Sequence, residues 1–246
     1  MRTIKRTLFK IYYVKFLIYQ CYCMVNKKIK SFLDSLVSYD SDISTNPYKE
    51  KIPYNNLLHY LDYLYNLEIS HIFVGEAPGY WGCRFCGIPF SSGEMIYKKG
   101  RTIFRDLKQH LIYKEIKNKK ENTAKIMYEF LNYKDFKSSL FWNTFPFHPY
   151  DKDKTKNRKP NNEEVAEGRT YLSKIIDLFG NPDKLYAIGI VSFDNLKSIY
   201  DNKVIEYVRH PSFGGKRDFV KKMSEIYGRN LRRFKDTSIL SFMKNI

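Results

Sequence analysis

Acidic residues are scarce in this chain: 26 Asp and Glu stand against 43 Lys and Arg over 246 residues, leaving a formal net charge of +17 and an isoelectric point near 9.5. A charge-balanced surface is thereby excluded, and a polyanionic partner fits, because neutralising phosphates is what a basic surface supplies to nucleic-acid binding. A lysine-rich proteome, to which the abundance of Lys, Asn, Ile and Tyr also points, would produce the same surplus. Cysteine is sparse as well. Cys21, Cys23, Cys83 and Cys86, without a convincing secretory leader, exclude a disulfide-stapled scaffold and point to free thiols in a reducing, cytoplasmic setting. The Cys83–Cys86 spacing would serve as half of a zinc or iron–sulfur site, but Cys21 and Cys23, one residue apart, complete it poorly, so neither metal nor other cofactor is expected. Long apolar runs are missing too: the stretch from Ile11 to Ile18 is broken by Lys15 and falls far short of the ~20 residues that span a bilayer, so no membrane role is expected.

What is present suits one α/β domain, since a chain that is 43% hydrophobic at this length builds one good core and is short for two. Residues 1–23 hold five basic residues and no acid, and Met24 opens a sequence that reads like an ordinary start. We expect 1–23 to be an extension and 24–246 the domain, which keeps a charge of +12 without it. Periodicity predicts a short helix around 30–37 and a second from Tyr54 to Leu67, opened by Pro53, with Leu57, Leu58, Leu61, Leu64 and Tyr65 on one face. Further helices are predicted at 101–110 and 123–133, from an Asn161–Asn162 cap to Phe179 with Glu163 and Glu164 in its first turn, and from about Lys216 to Arg233. Strand-like runs are His71–Val74, Ser138–Leu140, the continuous apolar Leu185–Val191 and Val204–Val208. The charged loop from Tyr150 to Pro160 is a candidate for mobility. No internal repeat and no domain linker is evident.

Three segments follow strand-like runs, where an open α/β sheet places its site. The first is Gly75-Glu76-Ala77-Pro78-Gly79-Tyr80 with Gly87-Ile88-Pro89-Phe90 after it, the second Phe141-Trp142-Asn143-Thr144, and the third Arg209-His210-Pro211-Ser212. Each alone is weak evidence, but in this order and spacing the set resembles the uracil-DNA glycosylase superfamily, from about Asn46 to about Arg233. The resemblance implies a three-layer α/β/α sandwich around a central four-stranded, mostly parallel sheet.

It also implies roles. Phe90 matches the aromatic platform for a flipped base, and Gly75, Ala77, Pro78, Gly79 and Tyr80 form the loop that brings backbone near that base. Asn143 resembles the recognition residue, whose amide can pair with the N3–H and O4 edge of uracil and refuse cytosine. His210 matches the histidine that donates to O2 of the departing anionic base, which is oxyanion-hole physics. Arg209 and Ser212 would hold phosphates, with Gly214, Gly215 and Lys216 nearby, and Phe213 stands where relatives place a wedge. His148 would either touch phosphate or cap its loop. Basic residues Lys98, Lys99, Arg101, Arg105, Lys216, Arg217, Lys221 and Lys222 surround these motifs, and Lys152, Lys154, Lys156, Arg158 and Lys159 would track the DNA backbone. Two departures from the family pattern stand out. Ala77 occupies the position where some relatives carry a water-activating carboxylate, leaving Glu76 as the candidate, and Gly79 stands where uracil-specific relatives use a Tyr to exclude thymine.

The expected activity is therefore hydrolysis of uracil from DNA by a monofunctional, monomeric glycosylase, since no lysine within the motifs offers a Schiff-base nucleophile. Excision of another or hypermodified base, for example in phage defence, is an alternative that Gly79 admits. A catalytically weak DNA-binding module is the alternative that Ala77 admits.

Overall fold

A computed structural model describes residues 26–98, 102–212 and 214–229. Helix α1 (Lys27–Val37) is capped by the Asn26 side chain, which accepts from Lys28 N–H at 2.8 Å. Strand β1 (Ser44–Thr45) and a 3₁₀ turn (Pro47–Lys49) lead into α2 (Lys51–Tyr65). Helix α2 begins two residues before Pro53 because a proline in the first turn forfeits no intrahelical bond. Leu57, Tyr60, Leu61 and Leu64 are its buried face.

Strand β2 (His71–Gly75) is followed by two short helices that periodicity did not reveal, α3 (Cys83–Cys86) and α4 (Gly93–Lys98). The helix expected over 101–110 is instead a 3₁₀ turn at Ile103–Arg105 continued by turns, and residue 101 lies outside the described residues. The helix expected at 123–133 is two: α5 (Asn122–Phe130) and α6 (Tyr133–Lys137). They divide because Asn132 caps the second, its side chain taking the Lys134 and Asp135 N–H groups while Asp135 reaches back to Asn132 N–H.

Strand β3 (Ser139–Asn143) runs through the second motif rather than ending before it, so Phe141, Trp142 and Asn143 are strand residues. Strand β4 (His148–Pro149) pairs antiparallel with β1 in a small two-stranded ladder. Helix α7 (Asn162–Leu178) has the expected Asn161 cap, closed into a capping box by Glu164. The apolar run 185–191 is not one strand: it divides at Gly189 (φ +98°) into β5 (Lys184–Ile188) and the N-terminus of α8 (Ile190–Ile199). A continuous apolar run does not by itself separate a buried strand from the helix turn that follows. Strand β6 (Val204–Val208) and α9 (Lys216–Ile226) complete the fold, with residues 230–233 of the expected final helix outside the described residues.

The main sheet has the order β3-β2-β5-β6 and every pairing is parallel, not merely most of them. Helices flank it, α8 against β5 and β6, α9 against β6, and α6 against β3. Burial explains the continuous apolar strands. Phe73 on β2 stacks between Phe141 on β3 at 5.2 Å and Tyr186 on β5 at 4.9 Å, and the fully buried Trp142 meets Phe32 of α1 at 5.4 Å. The chain leaves β2 first toward β3 and later returns to the other side through β5, so the topological switch point lies at the carboxyl ends of β2 and β5, where such folds place ligands.

Candidate active site

Register brings the first two motifs side by side, with Gly75 of β2 directly opposite Asn143 of β3. The ladder continues beyond the strands, Thr144 N–H donating to Gly75 O at 2.7 Å and Phe145 N–H to Glu76 O at 3.0 Å. A Cβ on Gly75 would stand 2.3 Å from Phe90 Cζ and 2.9 Å from Asn143 Oδ1. Gly75 is therefore a glycine of close approach: only a hydrogen there lets the Phe90 ring and the Asn143 amide meet over the end of β2. Phe90 takes this position with a left-handed backbone (φ +54°), a conformation that costs a non-glycine residue about 1–2 kcal/mol. It also packs on the core through Phe141 at 5.9 Å. Asn143 is only 4% exposed, and its Oδ1 faces the Phe90 ring across the end of β2. An amide held at a sheet edge beside an aromatic ring carries both an acceptor and donors for a ligand.

Glu76 turns toward the start of α8. A Cβ on Gly189 would meet Glu76 Oε1 at 2.5 Å, and the same oxygen accepts from Val191 N–H at 3.4 Å. Burial raises the Glu76 carboxyl above its ordinary range, opposed by the charge of Lys159 and by the Val191 N–H. Gly189 N–H donates to Val208 O at 3.0 Å, which carries the connection to the third motif just beyond β6. There His210 Nδ1 lies 2.7 Å from Ser212 Oγ and accepts from Ser212 N–H at 3.3 Å. A nitrogen that accepts a backbone N–H carries no proton, so this network assigns the proton to Nε2. Burial, then the charges of Arg209 and Lys159, push the His210 pKa down to about 4, so the ring is neutral near pH 7 and Nε2 is a donor. Lys159 thus acts on both Glu76 and His210. In the sequence it was one of five basic loop residues with nothing to single it out; only the fold brings it to this edge.

The loop between β4 and α7, a candidate for mobility in the sequence, is tied to the rest of the fold at several points. Arg158 forms a bidentate pair with the buried Glu164 (2.6 and 2.8 Å) and donates to the carbonyls of Tyr150, Lys159 and Ile43. Its guanidinium is consumed by these contacts, so Arg158 does not track DNA as the sequence suggested. His148 is likewise withdrawn from solvent: it is fully buried, with Nδ1 2.9 Å from Pro78 O and Nε2 3.1 Å from Lys154 O. Of its two expected roles, burial removes the phosphate contact and leaves the loop clamp. Asn157 adds a third tie by accepting from Tyr80 N–H at 2.8 Å. The Tyr80 ring itself packs edge-on against Phe85 at 5.1 Å and beside His148 at 5.6 Å.

Pro78 is buried, and Ala77 is half-buried against the core. A Cβ on Gly79 would meet Asn157 Nδ2 and Glu121 Cγ, both at 3.7 Å, in ordinary van der Waals contact. In the third motif Arg209 is exposed, Ser212 half-buried, and Gly214 exposed with φ +78°; Gly215 is buried against His210 O. Lys216 pairs with Glu129 at 3.0 Å and Lys222 with Glu206 at 2.9 Å. Phe213, Lys99 and Arg101 lie outside the described residues. Cys83 and Cys86 are buried free thiols, and burial pushes both up, Cys86 to about 12. No cluster of three metal-ligating side chains occurs among the described residues, and none of the described helices is long and apolar enough to cross a membrane. A separate groove lined by Lys27, Lys28, Phe32, Tyr65 and Lys174 contains no residue of the three motifs.

The class to which this fold and sheet edge belong is the DNA glycosylases, hydrolases of N-glycosyl bonds. The family match is specific: residues 63–228 match the uracil DNA glycosylase superfamily, and the chain belongs to it. Among solved structures, the crystal structure of wild-type Pedobacter heparinus SMUG2 is similar, with a TM-score of 0.57 at 16% identity, covering 82% of this chain and 97% of that one. At such identity the likeness speaks for the fold. No curated protein sequence matches the chain.

Proposed function

We propose that the protein is a monofunctional, monomeric glycosylase that hydrolyses uracil from DNA as a step of base excision repair, without a cofactor. One observation carries this reading: the nearly buried Asn143 amide is set against the Phe90 ring at the end of β2, with only Gly75 between them. A flipped uracil stacked on Phe90 would offer Asn143 its N3–H and O4, the donor and acceptor pattern an amide matches. His210 Nε2–H then donates to O2. As the C1′–N1 bond breaks, its electron pair passes to the base, and that hydrogen bond strengthens with the charge on O2. Lys159, whose charge already reaches His210, adds positive potential at the same place. The oxocarbenium-like sugar is captured by water, whose oxygen bonds to C1′ while its proton passes to the Glu76 carboxylate. Glu76 is supported in this role by its ionisable position beside Gly189 and by the absence of a carboxylate at Ala77. Arg209, Ser212 and Gly214 are proposed to meet the DNA backbone around the lesion, and Phe213 to wedge into the gap left by the flipped base.

A second reading is favoured by the lack of a side chain at Gly79. With no Tyr there, a pyrimidine carrying a substituent at C5 would be admitted, including a hypermodified base of phage DNA, and the enzyme would then serve defence. The test is base release from oligonucleotides carrying uracil, thymine opposite guanine, cytosine or a C5-substituted pyrimidine, read by alkaline cleavage, with His210→Ala as control. Cleavage at uracil that fails in the variant supports the first reading, and cleavage confined to the substituted base replaces it with the second. Intact strands throughout would overturn both and leave a DNA-binding module.

A further inference from the structure

The turn that follows the first motif carries an aromatic ring that neither the core nor the proposed chemistry uses. Gly82 N–H donates to Gly79 O at 3.2 Å and closes this turn, with Trp81 at its tip. Trp81 is 47% exposed, whereas the chain's only other tryptophan, Trp142, is fully buried. An indole left half in water forfeits part of the stabilisation that burial would give it and keeps apolar surface open to a ligand.

Its surroundings state what it fits. Tyr80 abuts it edge-on at 4.9 Å and Phe85 lies nearly parallel at 6.0 Å, so the indole is braced in one orientation. Lys119 Nζ lies 4.5 Å from the Trp81 ring centre and 4.1 Å from that of Phe85, and it has no ion-pair partner among the described residues. Lys119 thus lies over one face of a braced, half-exposed indole, so that a base stacked on the rest of the ring would have a cation at hand for its phosphate. The turn also adjoins the candidate site on two sides. A Cβ on Gly82 would stand 2.9 Å from Ser91 O, the residue after Phe90, and Tyr80 N–H is held by Asn157 of the basic loop.

We propose that Trp81, with Lys119, is a second stacking platform that holds an unpaired base of the strand whose flipped base enters at Phe90. This rests on the DNA-glycosylase reading for its partner, though not on which base is cut. Inside a duplex, bases have no free face to offer, so the platform engages single-stranded DNA and gives the enzyme a preference for it.

The two-tryptophan composition makes the test direct. Intrinsic fluorescence of the full chain is titrated with an undamaged single-stranded oligothymidine and with a blunt duplex, in wild type and in Trp81→Phe. Single strand is expected to quench the wild-type emission, while Trp81→Phe, reporting only buried Trp142, stays flat. In parallel, anisotropy of a labelled single strand should show Trp81→Ala binding weaker by on the order of tenfold, Trp81→Phe close to wild type, and duplex affinity unchanged in both. Wild-type quenching no larger than that of Trp81→Phe, equal quenching by duplex, or unweakened single-strand binding by Trp81→Ala would each overturn the proposal. Because the readout is binding rather than base release, the outcome stands apart from whether uracil is the substrate.

Discussion

Two His-Pro pairs lie in this molecule, His148-Pro149 on the small ladder and His210-Pro211 beyond the edge strand of the main sheet. Burial lowers the pKa of both imidazoles. What separates them is hydrogen-bond vacancy. His148 sets each ring nitrogen against a main-chain carbonyl and has nothing left to offer, whereas Ser212 occupies only Nδ1 of His210 and leaves Nε2–H as a donor. The same dipeptide is thus a rivet in one place and a proposed electrophile in the other, and a shifted pKa alone would not tell them apart.

The contrast can be broken most sharply at His210. His210→Ala should lower kcat by about 10²–10³-fold, the usual loss for one such donor, with little change in Tm. His148→Ala should do the reverse: a loss of about 1–3 kcal/mol in unfolding free energy from unsatisfied carbonyls, and kcat much less affected. Equal losses of kcat in the two would erase the distinction. Next in size is Gly75→Ala, whose methyl must displace Phe90 or Asn143. It should cut kcat/KM by about tenfold or more, as misplacement of positioned groups does, and base-release kinetics would detect it.

Acid titration sharpens the comparison further. Both histidines have folded pKa values below their unfolded value of 6.5, so their neutral burial contributes stability that is present above pH 6.5 and is lost as pH falls, for His210 through about 4. Denaturant titrations at pH 7 and pH 4.5 should show this loss, reduced in His210→Gln. Glu76 has the opposite sign, since a carboxylate whose folded pKa is raised above its unfolded one destabilises at neutral pH and recovers as pH drops. Glu76→Gln is therefore expected to raise Tm by a few degrees at pH 7 while lowering kcat, and to remove an acid limb of the activity profile that lies above pH 4.5. A variant that lost Tm and kept the limb would remove Glu76 from the proposed chemistry.

The first two strand-end motifs were legible in the sequence because β2 and β3 are buried and rich in apolar residues, and the third because β6, though largely exposed, is rich in Val, Ile and Tyr. The Asn161 cap and the apolar stripe of α2 were legible for equally local reasons. Gly189 hid a boundary, because Leu185–Ile188 and Ile190–Val191 are equally apolar while only the glycine marks where strand becomes helix. The basic loop misled for another reason. Arg158 and Lys159 are neighbours of like charge, yet one is spent on Glu164 and three main-chain carbonyls while the other reaches Glu76 and His210. Those assignments depend in part on segments distant in sequence, Ile43 for Arg158 and the first and third motifs for Lys159, which no local pattern encodes.

The Arg158–Glu164 pair has a consequence for behaviour in salt. Added electrolyte weakens phosphate contacts by counterion competition, and it screens solvent-facing charges over a Debye length of about 8 Å at physiological strength, but a desolvated bidentate pair is screened far less. DNA affinity and the geometry of the loop flanking the site therefore respond to ionic strength separately. Raising salt should release DNA from an enzyme whose loop remains assembled, so that turnover limited by product release would first rise with salt before capture of DNA fails.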